Sequence, residues 1–444
     1  MSRDPEPPIE GTDPSAHDAL RAADHAGPRP PRPGLRTTGR SGAAARQRTL
    51  REHNLSLALR HVIDAPEPVS RSAIAGATGL TRATVSALVD RLVAAGMLTE
   101  LEPVAAPRVG RPAVPLVPAR GTIAAVGLEV NVDYLGVRAV DLAGRVISER
   151  VELGDHRGSD PAVVLERLAQ LAGGVVATLS ADGVMLAGTS LALPGLVDSV
   201  TGPLRLAPKL GWRDVDVVAL LTSHPVLAGV PPRLANEAKL AARAEAYARR
   251  HDGPSSFVYV SGEIGIGGAI VLDGETFLGQ HGWSGEIGHT VVELPGSGGS
   301  VGTLETFAGQ DALMTAAGFD RAQPISVLVQ AADAGEPRAV GALEAGGAAL
   351  GIALANVVNI VDVGQIVLGG TYAELAQHLT APVRRELSRR VLSSPWNEVR
   401  VGVACAGQYP AMTGGALAVL RALVDDPAAW GAGDGVAAAP QSRV

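Results

Sequence analysis

Two carboxylates and an imidazole stand among glycines in the stretch Gly285-Glu286-Ile287-Gly288-His289 and its sequel Gly302-Thr303-Leu304-Glu305, in a chain with only ten histidines. Glu286 and Glu305 are acceptors, and neutral His289 can both donate and accept. That set suits vicinal hydroxyls, each of which gives and takes. Gly288 lets a backbone or a ligand come close to His289. The residues alone also fit a glycine-rich surface loop with two solvated glutamates and an ordinary histidine. A third carboxylate, Glu237, sits in Asn236-Glu237-Ala238 at the start of a helix running to about Arg250.

The elements that must position these groups follow an α/β pattern from Gly121 onward. Ile123–Val130, Tyr134–Asp141 and Val146–Leu153 read as successive strands with tight turns. Pro161–Leu179 is an amphipathic helix, and Met185–Leu193 is a strand ending at Pro194-Gly195. Phe257–Val260 and Gly268–Leu272 are strands flanking a glycine-rich turn, the commonest use of which is a hairpin. Ala342–Ile360 is a long Ala/Gly/Val helix, Ile366–Leu368 a strand, and Ala411–Val424 a closing helix. Residues 425–444 are expected to be a disordered tail.

A different pattern precedes this. Residues 1–45 are rich in Pro, Gly, Arg and Asp without a period and read as disordered. Seven arginines and no carboxylate lie between Arg29 and Arg51. Such an arm can neutralise phosphates, or it can reflect composition alone. In residues 46–118, Leu55, Leu57, Leu59, Val62 and Ile63 mark a helix ending before Pro66. Ser70 caps a second helix closed by Gly79, and Thr81 caps a third closed by Gly96. Two short helices across a Gly79-Leu80 turn make a helix-turn-helix. Its second helix would present Arg82, Thr84 and Ser86 to the major groove, with Arg91 nearer the backbone. A two-stranded wing follows, carrying Arg108 and Arg111 at or near its tip, where arginines can enter a narrow minor groove. A small helical protein-interaction domain is the competing reading of this block.

Bulk composition sets limits. A length of 444 suggests two or three domains. Hydrophobic residues make up 46% and aromatics 3%, so the cores must be Ala, Val and Leu. One cysteine excludes a disulfide framework and fits a reducing cytoplasm. No signal peptide and no uncharged apolar run of about 18 residues appear, so no membrane span is expected. A net charge of −7 does not advertise nucleic-acid binding, which must therefore be local.

Glu-x-Gly-His, a glycine-rich loop and Gly-x-Leu-Glu together resemble the signature of the ROK family of sugar kinases and repressors. The run Ser-Arg-x-x-Ile-Ala-x-x-Thr-Gly-Leu-Thr-x-x-Thr-Val-Ser at residues 70–86 resembles the winged helix of that family's repressors. The resemblance spans nearly all of residues 46–424. It implies a winged helix-turn-helix at 46–118 and, at 119–424, a two-lobed actin-like (ribonuclease H-like, sugar kinase) ATPase fold. It further implies a sugar bound between the lobes by Asn236, Glu237, Glu286, His289 and Glu305, with Lys209 in the loop beside it.

This chain departs from the family at five places. The family's zinc takes a His and three Cys, but the three Cys positions here are Gly296, Gly298 and Thr303, so no zinc or other cofactor is expected. Where the kinases have Asp-x-Gly-Gly-Thr, this chain has Glu129-Val130-Asn131-Val132-Asp133. Where they have Gly-Thr-Gly-Ile-Gly, it has Glu263-Ile264-Gly265-Ile266-Gly267. Both changes oppose phosphate binding. Lys209 replaces an Asn, which suits an acidic or phosphorylated ligand, or a side chain pointing to solvent. Glu237 replaces the kinases' Asp base and is one methylene longer, which in-line transfer tolerates poorly.

The sequence therefore reads as a cytoplasmic, sugar-responsive transcriptional repressor with a degenerate kinase domain. Its expected partners are double-stranded operator DNA and a small sugar, and the resemblance further implies a second copy of itself, as a homodimer or tetramer. An active ROK sugar kinase with a fused DNA-binding domain is the alternative, and a DNA-binding protein with a vestigial pocket is a third reading.

Overall fold

The computed structural model describes residues 39–103, 114–198, 202–294 and 300–430. The chain divides into Met1–Thr49, described only from its helical residue Gly39, and Leu50–Val444, which holds everything below. Helix α1 spans Gly39–Ile63 and so begins inside the stretch expected to be a disordered tail. The rest of that tail, and the expected tail beyond 430, lie outside the described residues.

The DNA-binding block forms for local reasons. Strand β1 (Val69–Ser70) leads into α2 (Arg71–Thr78). The Ser70 hydroxyl caps α2 by accepting from Ala73 N at 3.1 Å, and Gly79 ends it at φ +72°, a conformation costly for any residue with a Cβ. Thr81 caps α3 (Arg82–Ala94) by accepting from Thr84 N at 3.2 Å. Ile74, Val85, Leu88, Val89 and Leu92 are buried against Leu55, Leu59 and Val62 of α1. Strands β2 (Leu98–Glu100) and β3 (Pro115–Pro118) follow. The expected two-stranded wing is a three-stranded sheet of order β1-β3-β2, because Val69 and Ser70 pair with Leu116 and Pro115. The wing tip, with Arg108 and Arg111, lies outside the described residues.

The sensing domain repeats one topology twice. Strands β4 (Ile123–Val130), β5 (Tyr134–Asp141) and β6 (Val146–Leu153) form an antiparallel meander. Helix α4 (Pro161–Ala181) then crosses to β7 (Met185–Leu193), parallel to β4, and β8 (Arg233–Asn236) adds parallel to β7. After α5 (Glu237–Arg249), β9 (Phe257–Gly262), β10 (Ile266–Leu272) and β11 (Glu275–Phe277) make the second meander. The short α6 (Leu304–Ala308) and α7 (Pro337–Val361) lead to β12 (Gln365–Gly370), parallel to β9. After α8 (Ala376–Arg390), β13 (Arg400–Val403) adds parallel to β12. The sheet orders β8-β7-β4-β5-β6 and β11-β10-β9-β12-β13 are thus the same arrangement in two lobes. Helices α4 and α7 are long and apolar enough to cross a membrane by length and composition, but both pack into lobe cores, α7 through Leu343, Leu350 and Leu354 and α4 through Leu165 and Leu168.

The closing helix α9 (Pro410–Asp425) joins three parts of the molecule. It lies against β4 and α5 at backbone distance: a Cβ on Gly127 would stand 1.9 Å from Met412 O, and one on Gly414 would stand 1.8 Å from Leu240 O. Its far half, Leu417, Leu420, Leu423 and Val424, completes the core under α1 and α3, together with Ile123 and Leu142. Polar ties reinforce this seam: Ser56 Oγ donates to Val424 O at 2.9 Å, Arg60 pairs with Asp425 at 2.7 Å, and Arg421 with Asp64 at 3.3 Å. The expected boundary at 424 is too early. A further helical turn at Pro427–Trp430 places Ala428 and Trp430 on the same core.

Candidate functional site

The two first-hairpin turns, one from each lobe, meet across a cleft of about 380 Å³. Asn131, Val132, Pro194, Gly195, Lys209, Asn236 and Glu237 line it on one side, with Glu263–Gly268, Glu286, His289 and Glu305 on the other. All six residues expected to hold a sugar are therefore brought together. Bonds cross between the lobes: Asn131 Nδ2 donates to Glu263 Oε2 at 2.8 Å, Lys209 Nζ pairs with Glu305 Oε1 at 2.9 Å, and Trp283 Nε1 donates to Val197 O at 3.1 Å.

The individual residues have more work inside the protein than the sequence suggests. Asn236 is the N-cap of α5; its Oδ1 accepts from Ala238 N and Lys239 N at 3.0 and 3.3 Å, and its Nδ2 donates to Gly195 O at 3.0 Å. One amide hydrogen remains for a ligand. Glu286 faces Lys239, a buried cation missed in the sequence, with Nζ 3.7 Å from its Oε1. Burial pushes the Lys239 ammonium below its usual range, while Glu286 opposes that shift. Glu305 accepts from Ile266 N at 3.3 Å and pairs with Lys209, so Lys209 is not a free phosphate-binding cation, although its side chain stays 38% exposed. His289 ends the helical turn Ile287–His289 and is exposed; its ring has no hydrogen-bond partner among the described residues. Gly288 serves a backbone: a Cβ there would lie 2.6 Å from Ile266 O. The loop positions that replace the family's cysteines, Gly296 and Gly298, lie outside the described residues.

In each of the turns expected to have lost phosphate binding, some of the amides are bonded within the protein. Asn131 Oδ1 accepts from Val132 N at 2.6 Å, and Asn131 N donates to Tyr134 O at 2.9 Å, which ties the two ends of the hairpin together. In the other lobe Glu263 N donates to Gly265 O at 2.8 Å. The same turns are acidic. Burial pushes Glu237 well above the usual carboxylate range, and the charges of Glu263, Glu129, Glu286 and Asp133 push it further. Glu129, 2% exposed, is pushed up to about 8, chiefly by burial. Glu263 is raised by burial, against the hydrogen bond from Asn131.

In the winged helix, α3 exposes Arg82 and Arg91, with Thr84 and Ser86 half-buried beside its apolar face. The Thr84 hydroxyl lies 2.8 Å from Thr81 Oγ1, so it serves the cap as well as the outer surface. A clamp missed in the sequence fixes this helix: Arg71 pairs with Asp90 of α3 at 2.7 Å and with Glu100 of β2. Its signal was only a basic residue at the start of α2.

A winged helix-turn-helix sharing a core with a duplicated, two-lobed α/β domain defines the class: a DNA-binding module on a sugar-kinase fold. The pattern of the ROK family matches residues 126–422, and that of the MarR family matches 56–111. The chain belongs to the ROK family. It is similar to the xylose repressor of Bacillus subtilis, 27% identical over 371 residues, covering 82% of this chain and 94% of that protein. It is also similar to a glucokinase of Halalkalibacterium halodurans, 24% identical over 311 residues, covering 65% and 93%. Among solved structures, a ROK family transcriptional regulator homologous to the Escherichia coli MLC protein shares the fold. Its TM-score is 0.69 at 24% identity, covering 85% of this chain and 97% of that one.

Proposed function

We propose that this protein is a DNA-binding transcriptional repressor of carbohydrate metabolism genes, controlled by a sugar bound between the lobes. One observation carries the reading: α5 starts at the cleft with Glu237, packs on α9 at backbone contact through Gly414, and α9 completes the core of the winged helix. Close-packed helices cannot yield independently. A sugar that moves the lobes must therefore move α9 and, in a homodimer or tetramer, the spacing of the two recognition helices. Arg82, Thr84 and Ser86 read bases, Arg91 meets the backbone, and Arg108 and Arg111 extend the contact from the wing. Asn236, Glu237, Glu286, His289, Glu305 and Lys209 hold the sugar without zinc. Such a protein works in the cytoplasm, where the operator DNA is.

The alternative, an active sugar kinase, draws support from Glu237, whose buried and raised carboxyl has the character of a general base. Against it stand the acids Asp133 and Glu263 within both phosphate turns, and the amides of Val132 and Glu263 that are already bonded there. The test selects a binding site from random duplexes with the purified protein, then titrates sugars against the complex. A sugar that changes operator affinity at least about fivefold supports the reading. No duplex enriched over background, or sugar-dependent ATP turnover lost in Glu237→Ala, refutes it.

A further inference from the structure

The cleft carries more carboxylate than cation. Glu286 has Lys239, and Glu305 has Lys209. Around the two hairpin turns and the first turn of α5, Glu129, Asp133, Glu237 and Glu263 interact with one another. Arg138, a cation whose charge acts on Glu129, is spent on Glu149, Thr413 and the Gln408 and Tyr409 carbonyls. Two of these acids are also short of hydrogen bonds: Glu129 Oε2 and Glu237 Oε2 are buried without any partner. A buried acceptor left unmade is costly, and carboxylates sharing a low-dielectric site cannot all ionise without a cation.

The form of the site narrows what could supply that cation. No three acidic or imidazole side chains among the described residues converge closely enough to hold a metal ion. A phosphorylated sugar would add negative charge beside Glu263 and Asp133, and Lys209 is already paired. A neutral sugar could donate to Glu237 but would leave the cluster to cancel its charge by holding protons, as burial and mutual repulsion already make it do. An ammonium both cancels charge and offers three donors.

We infer that the cleft takes a polyhydroxy ligand bearing a protonated amine, an amino sugar, with its ammonium between Glu237 and Glu263 and its hydroxyls toward Glu286, His289 and Glu305. The inference rests on the reading of the cleft as a sugar site and names the class of sugar.

The experiment is calorimetric titration of the full chain with three sets of sugars: glucose, glucosamine and N-acetylglucosamine; the galactose set; and the mannose set. Magnesium chloride alone and glucose 6-phosphate are further probes. In at least one set the free amine should bind about tenfold or more tighter than both its parent and its N-acetyl form, as a charge-assisted contact requires. In Glu263→Gln that ratio should fall toward one. A parent, N-acetyl or phosphorylated sugar binding as tightly as the amine overturns the inference and leaves the sugar-sensor reading standing. Magnesium binding that blocks the amine also overturns it, by making the cluster a metal site. If no sugar of any kind binds, both fail together.

Discussion

Replacing Glu129 with Gln keeps the side-chain volume and removes one ionisable group from the end of β4. Burial pushes the Glu129 carboxyl from 4.5 up to about 8. Between those values the folded protein holds a proton that the unfolded chain has released, so stability falls as pH rises through this window. Each unit is about 1.36 kcal/mol, so from pH 4.5 to 7 the native state loses about 3 kcal/mol through this group alone. Glu237 and Glu263 are also raised, so the wild type should lose more than that in total. The difference between wild type and Glu129→Gln isolates the one residue. Urea unfolding of both proteins at pH 5, 6, 7 and 8, followed by tryptophan fluorescence, should show the variant gaining on the wild type by about 1 kcal/mol per pH unit until the gain levels off near pH 8. Parallel stability profiles for the two proteins would show that Glu129 is ionised in the folded state and that the acidic cluster is not as described.

Three other outcomes are expected. Arg82→Ala should weaken specific DNA binding by roughly 1–3 kcal/mol, measured by fluorescence anisotropy on the selected duplex; unchanged affinity would move the recognition surface elsewhere. Leu420→Ala removes a side chain buried in the core that α9 shares with α1 and α3, and should cost about 2–5 kcal/mol while unfolding the winged helix at lower urea than the lobes. A single coincident transition, with no loss of stability, would show that the seam is not a shared core. Metal analysis of untagged protein should find well under one zinc per chain, and stoichiometric zinc would show that the residues at 296–303 bind metal without cysteine.

Much of the fold was legible because its signals are local. Ser70, Thr81 and Gly79 cap their helices by bonds reaching three or four residues, and the three strands of the first meander begin and end at the expected residues. The cleft was legible only through its motifs, and what those motifs do inside it was not. Asn131 reaches Glu263 across 132 residues and Lys209 reaches Glu305 across the cleft, and no periodicity encodes such pairs. The capping role of Asn236 was readable, since an Asn directly before a helix is its commonest use. The double duty of α9 was not, because an Ala-rich helix that is buried on most sides shows no face by which to assign its neighbours.

The place of α9 in the chain has a consequence during synthesis. The core of the DNA-binding domain draws on Leu417, Leu420, Leu423 and Val424, more than three hundred residues after the start of α1. A ribosome working from the N-terminus therefore exposes the recognition helix long before the side chains that cover its underside exist. Until the last turns leave the exit tunnel, Leu55, Leu59 and Val62 have only part of their packing, and the cost of ordering the block is only partly offset. A chain broken off anywhere between Pro118 and Pro410 carries the whole winged helix-turn-helix sequence and lacks one wall of its core. Fragments without a sensor domain are thereby kept from holding a fully packed DNA-binding domain.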